Sequence, residues 1–143
     1  MTVTSMDLLL WARGPGFEAA VVIFALEGVS SVFYLDQMMA SLEDHGLGME
    51  MSGSAMAMNV LVSLISGLVL VFFYAATRPR FGPGPKTAIL VAVVLWCGGY
   101  LLSLVGYQAV GMYPTGMLVM WGIIGIVEMI IAALVGGWIY KEA

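Results

Sequence analysis

Four apolar stretches, over residues 17–39, 57–77, 87–110 and 115–140, take up most of this chain. Each is as long as the ~20 residues a helix needs to cross the hydrocarbon core of a bilayer. Lipid offers no partner to a backbone N–H or C=O, so a single stretch of this length satisfies its own polar groups only as a helix. Of the 143 residues, 62% are hydrophobic and 10% are charged. Soluble domains carry about 25% charged residues, and a soluble chain this short cannot hide so much apolar surface in one core. The expected fold class is an all-α membrane protein: a four-transmembrane-helix antiparallel bundle forming one membrane domain over residues 1–143, with no soluble domain.

The segments between the stretches support this division. Residues 1–15 hold Asp7, the cluster Leu8-Leu9-Leu10-Trp11 and Arg13 before Gly14-Pro15-Gly16. They read as a short interfacial helix ended by the Gly/Pro break, or as a frayed terminus. No Lys or Arg precedes this run, so it does not read as a signal peptide. Residues 41–55 are acidic and rich in Gly and Met, and are expected to form a loop. Residues 78–86, Arg-Pro-Arg-Phe-Gly-Pro-Gly-Pro-Lys, predict a stiff turn, because their prolines forbid a continuing helix. The basic residues are Arg13, Arg78, Arg80, Lys86 and Lys141. With four spans all five fall on one side, which the positive-inside rule assigns to the cytoplasm together with both termini. Small residues are expected to mediate helix contacts: Gly28 with Ser31, Ser63 with Gly67, Gly122 with Gly125, and Ala132 or Ala133 with Gly136 or Gly137. Tyr107, Tyr113 and Trp121 are expected near one interface, and Tyr74, Trp138 and Tyr140 near the other.

The chemistry in this chain concentrates in two carboxylates. Glu27 and Glu128 both fall near the middle of an apolar span. A charge at that depth is costly, so each is expected to face the bundle interior and to be paired or neutral. No Lys, Arg or His lies at that depth to act as counter-ion. Desolvation disfavours the charged form, so the expected state is protonated. If the two helices are neighbours, the carboxyls can share a proton or cradle a cation, in company drawn from Ser30, Ser31, Ser63, Ser66, Tyr100 and Ser103. The alternative is two neutral carboxyls bonded to local hydroxyl or backbone groups, serving only as packing. Glu18 and Asp36 each lie nine residues from Glu27, half a turn round, and read as solvated ends of the first span.

A second cluster is softer. Met49, Met51, Met56 and Met58, with His45 nearby, lie in the loop expected on the outer face. Thioether and imidazole groups suit Cu(I), so this loop is a candidate copper site; methionine also serves as adaptable apolar filler, and the chain has twelve. The single Cys97 excludes an internal disulfide, and a thiol alone cannot build a structural zinc site. One histidine, outside the spans, provides no intramembrane pair to ligate haem and no base to activate a nucleophile at that depth. The net charge of −4 gives no support for nucleic-acid binding.

Two resemblances follow from short motifs. The pieces Phe24-Ala25-Leu26-Glu27-Gly28, residues 74–84 (YAATRPRFGPG), Val127-Glu128 and Gly137-Trp138-Ile139-Tyr140 resemble a group of uncharacterised bacterial four-helix integral membrane proteins. That resemblance implies a fold and no activity. Leu8-Leu9-Leu10-Trp11-Ala12-Arg13-Gly14-Pro15 is similar to the opening of the gamma subunit of respiratory nitrate reductases, without that subunit's haem histidines. The expected function is non-enzymatic: a structural or accessory subunit of a larger complex, or a self-associating bundle, in a bacterial cytoplasmic membrane. Its expected partners are membrane lipids and further copies of itself or a larger complex. The alternatives are a small proton- or cation-coupled transporter using Glu27 and Glu128, and copper binding by the Met-rich loop. No cofactor is specified by the sequence.

Overall fold

The structure, a computed structural model, describes residues 14–47 and 52–140. Among them are six α-helices and no strand. Helix α1, Pro15–Ser30, runs into a 3₁₀ turn, Ser31–Phe33, and α2, Leu35–Asp44, follows. Helix α3 is Gly53–Phe81. Helix α4, Pro85–Leu95, continues through a π-helical segment, Trp96–Leu101, into α5, Leu102–Ala109, and α6 is Thr115–Ile139. Four of the resulting rods are long and apolar enough to cross a membrane: Pro15–Phe33, Gly53–Phe81, Pro85–Ala109 and Thr115–Ile139. The protein is thus an all-α, multi-pass membrane bundle, and short turns at residues 82–84 and 110–114 make spans two to four successively antiparallel. Of the interfacial segment expected over residues 1–15, residues 1–13 lie outside the described residues, and Pro15 already opens α1.

The first span ends earlier than expected, at Phe33 rather than at residue 39. The cause is local. The hydroxyl of Ser30 donates to the Glu27 carbonyl (3.2 Å) and that of Ser31 to the Gly28 carbonyl (2.9 Å). Such back-bonding bends helices. Tyr34 then leaves helical geometry at φ −135°, and α2 starts as a separate helix over residues expected to be partly loop. Glu18 and Asp36 therefore do not share one helix face, though both are exposed as expected.

The second span runs further than expected. Pro79 lies inside the last turn of α3, where its missing N–H removes one bond and the helix still closes. The turn shrinks to residues 82–84, with Gly82 at φ 81° and Gly84 at φ 121°, left-handed values that glycine adopts without steric cost. Thr87 Oγ1 donates to the Gly82 carbonyl (2.7 Å), and the Gly84 N–H donates to the Tyr74 hydroxyl (3.1 Å). Arg78, Arg80 and Lys86 mark this as the basic end of the bundle.

The helices approach closely where small residues meet. A Cβ added at Gly67 would sit 2.6 Å from the Ala20 Cα, and one at Gly136 would sit 2.7 Å from Val71 Cγ2. Gly28 does not behave as expected. It is exposed and nothing lies within 4 Å of an added Cβ, so it faces away from the bundle. Two clusters fill the interior. At the basic end Leu70, Tyr74, Val91, Ala92, Ala132 and Ala133 pack together. At the opposite end Tyr34, Leu104, Met117, Leu118 and Trp121 do so. Tyr74 and Trp121 belong to these buried clusters, whereas Trp138 is 84% exposed.

Candidate functional site

The two carboxylates meet. Helix α1 packs against both α3 and α6, and this places Glu27 beside Glu128. The Glu128 carboxyl interacts with the Glu27 carboxyl and with the Ser30 hydroxyl. Glu128 is 8% exposed, and its Oε1 is buried without a hydrogen-bond partner. Glu27 is half-buried and accepts a hydrogen bond from the Tyr34 hydroxyl at Oε1. Tyr100 stands within electrostatic reach of both carboxyls.

Each of these positions has a local cause. Ser30 lies one turn from Glu27 on α1, and the 3₁₀ turn that follows brings the Tyr34 hydroxyl to the Glu27 carboxyl. Tyr100 projects from the π-helical segment Trp96–Leu101. A π segment shifts the register of every side chain beyond it and often marks a functional position. The Tyr100 ring lies over Gly125, where an added Cβ would meet its Cε1 at 2.8 Å. Gly125 and Glu128 are three residues apart, on the interior face of α6.

Of the polar company expected, the structure brings Ser30 and Tyr100 to the pair. Ser31 and Ser103 instead bond to carbonyls of their own helices, Gly28 and Gly99. Ser63 is buried and Ser66 half-buried on α3, with no recorded bond to either carboxyl. Tyr34 was not among the expected partners: it reaches Glu27 through the 3₁₀ turn after Ser30, which no residue pattern announces.

Around the pair, toward the end opposite the basic turn, lies an aromatic stack. Tyr34 meets Trp121 edge to face at 5.4 Å, Trp121 meets Tyr113 at 4.9 Å, and Tyr113 meets Tyr107 at 5.4 Å. Burial, and after it the Tyr107 phenol, push the Tyr113 hydroxyl above the usual phenol range.

Two carboxyls this close repel one another when both are charged, so the arrangement can take up a proton or a cation between them, at a depth where no basic side chain answers it. Span two offers no titratable side chain from Gly53 to Phe73, so Tyr34 and Tyr100 are the titratable neighbours of the pair.

The Met-rich cluster is only partly described. Met49 and Met51 lie outside the described residues. Met56 and Met58 are exposed on the first turns of α3 and, two residues apart, point to different sides of it. His45 Nδ1 bonds to the Ser41 carbonyl (2.7 Å), as its N–H donor in that tautomer. Among the described residues no group of three His, Cys, Asp or Glu side chains is placed to hold a metal ion.

Compared with known protein families, curated proteins and solved structures, the chain shows no match.

Proposed function

We propose that this protein is a small proton- or cation-coupled membrane transporter or channel whose exchange site is the Glu27–Glu128 pair. The convergence of two intramembrane carboxyls on one buried spot, with Glu128 Oε1 left unpartnered, carries this reading. Intramembrane carboxyls that face a bundle interior serve recurrently as proton and ion relays. A group kept only as packing is expected to have its hydrogen bonds satisfied, because an unsatisfied buried acceptor costs ~1–3 kcal/mol. Reconstitution in liposomes tests this. Glu27→Gln and Glu128→Gln are each expected to reduce ion-driven proton flux to the level of protein-free vesicles. Flux equal to that of the parent chain in both variants would overturn the reading.

A second reading is the accessory subunit or self-associating bundle of a bacterial cytoplasmic membrane. One observation favours it. Glu27 is capped by the Tyr34 hydroxyl, as a carboxyl used for packing would be. Co-purification from the native membrane tests this reading: a stoichiometric partner supports it, and a lone chain with flux activity speaks against it.

A further inference from the structure

A groove of about 370 Å³ runs along the seam of spans three and four. Its walls include Trp96, Leu104, Gln108, Leu118, Gly122 and Ile126, and it is lined almost wholly by apolar atoms. That volume falls in the range of small-molecule sites, about 300–1,000 Å³. From residues 108 and 115 at the aromatic end it extends to Trp96 and Ile126, halfway along both spans. Gly122 and Ile126 border it, while Gly125 and Glu128 on the same helix face the interior. Tyr100, one turn from Trp96, crosses at Gly125 and so stands between the groove and the carboxyl pair.

We propose that the groove and the carboxyl pair form one binding site for an amphipathic organic cation, with Tyr100 between them. This inference rests on the exchange reading above and names its substrate class. The apolar body of such a ligand fits the groove. Its charge is drawn toward Glu27 and Glu128, where one proton leaves as the cation arrives. Glu128 Oε1, buried and unpartnered, is the acceptor that gains a charge partner. The indole of Trp96 lines the groove and the Tyr100 phenol lies near both carboxyls, and aromatic faces attract a desolvated cation. Tyr100 follows Gly98 and Gly99 inside a π-helical stretch, and its ring packs on Gly125. A small inorganic cation needs none of this apolar wall, and a lipid acyl chain needs no carboxyl behind it.

The full chain in lipid nanodiscs tests the proposal with two probes, tetraphenylphosphonium and its neutral counterpart triphenylphosphine oxide. The cation is expected to bind, to release a proton on binding, and to bind more weakly as pH falls. Glu27→Gln and Glu128→Gln are each expected to weaken it by about tenfold or more, as loss of a buried charge partner does. Gly122→Leu, which fills the groove, is expected to abolish binding. If that variant fails to fold, Ile123→Trp on the exposed lip is the substitute. Equal binding of the neutral probe, or binding unchanged by both carboxyl variants, would overturn the proposal. Proton exchange detected at the pair by infrared difference spectroscopy, with no organic-cation binding, would overturn it and leave the exchange reading standing. Absence of that exchange would remove both.

Discussion

At the basic end of the bundle the helices touch backbone to backbone, and at the opposite end large rings hold them. Gly67 meets Ala20, Gly136 meets Ala19 and Val71, and Gly137 meets the Tyr74 ring. Beyond Glu27 and Glu128, Tyr34, Trp121, Tyr113 and Tyr107 form an edge-to-face stack instead. At the basic end the Tyr74 hydroxyl accepts from Gly84 N–H and Thr87 closes the turn. Midway along the bundle Glu128 Oε1 and Trp96 Nε1, and beyond them Trp121 Nε1, are buried without hydrogen-bond partners. Close approach of small residues gains dispersion contacts. Packing by rings leaves gaps and polar atoms with capacity to spare. One end reads as the staple of the bundle, and the other as the end able to work.

Substitutions can break or sharpen this contrast. The largest stability effect is expected at the staple. Gly67→Val drives a side chain into the Ala20 backbone, which cannot yield as a flexible side chain can. It should cost ~3 kcal/mol, the upper range for overpacking, read by reversible unfolding in mixed micelles; a cost near zero would remove the staple. Glu128→Leu should do the reverse at the working end. Replacing an unpartnered buried acceptor by an apolar group is expected to stabilise by ~1–2 kcal/mol, with flux lost in the same variant. Reduced stability would mean that the carboxyl is structural.

A matched pair of smaller changes follows. Tyr34→Phe removes a hydrogen bond to Glu27 and keeps the ring on Trp121, and Tyr74→Phe removes the acceptor for Gly84 N–H. Each should cost ~1 kcal/mol, but only Tyr34→Phe should shift the infrared band of the carboxyl pair. A shift in both would join the ends that the contrast separates. The smallest effect is expected for Gly28→Ala, which faces open space and should change stability by less than ~1 kcal/mol. A cost like that of Gly67→Val would reveal a partner on that face.

Much of the fold was legible in sequence because a bilayer imposes it. An apolar run of some twenty residues has one way to satisfy its backbone, so the four spans emerge from counting. The break after Ser30 was harder to see. Residues 31–35 stay largely apolar and carry no Pro or Gly, and the signal was the pair of serine hydroxyls bonding back to their own helix. Pro79 misled in the other direction, since a proline in the final turn of a helix costs one bond and does not end it. Gly28 and Gly67 look alike in sequence, yet only Gly67 faces a neighbour.

The candidate site divides along the same line. Sequence alone marked Glu27 and Glu128, because carboxyls without a counter-ion inside apolar spans are expensive and stand out. It also determined that lipid is the solvent, since composition depends on no contact. Whether the two carboxyls meet was decided only by tertiary packing, which lays α1 against α6 and turns Tyr100 across Gly125. The physical reason is that burial cost belongs to each residue separately, whereas adjacency depends on which faces of different helices fit together, and that fit is spread over many small contacts with no mark of its own in the chain.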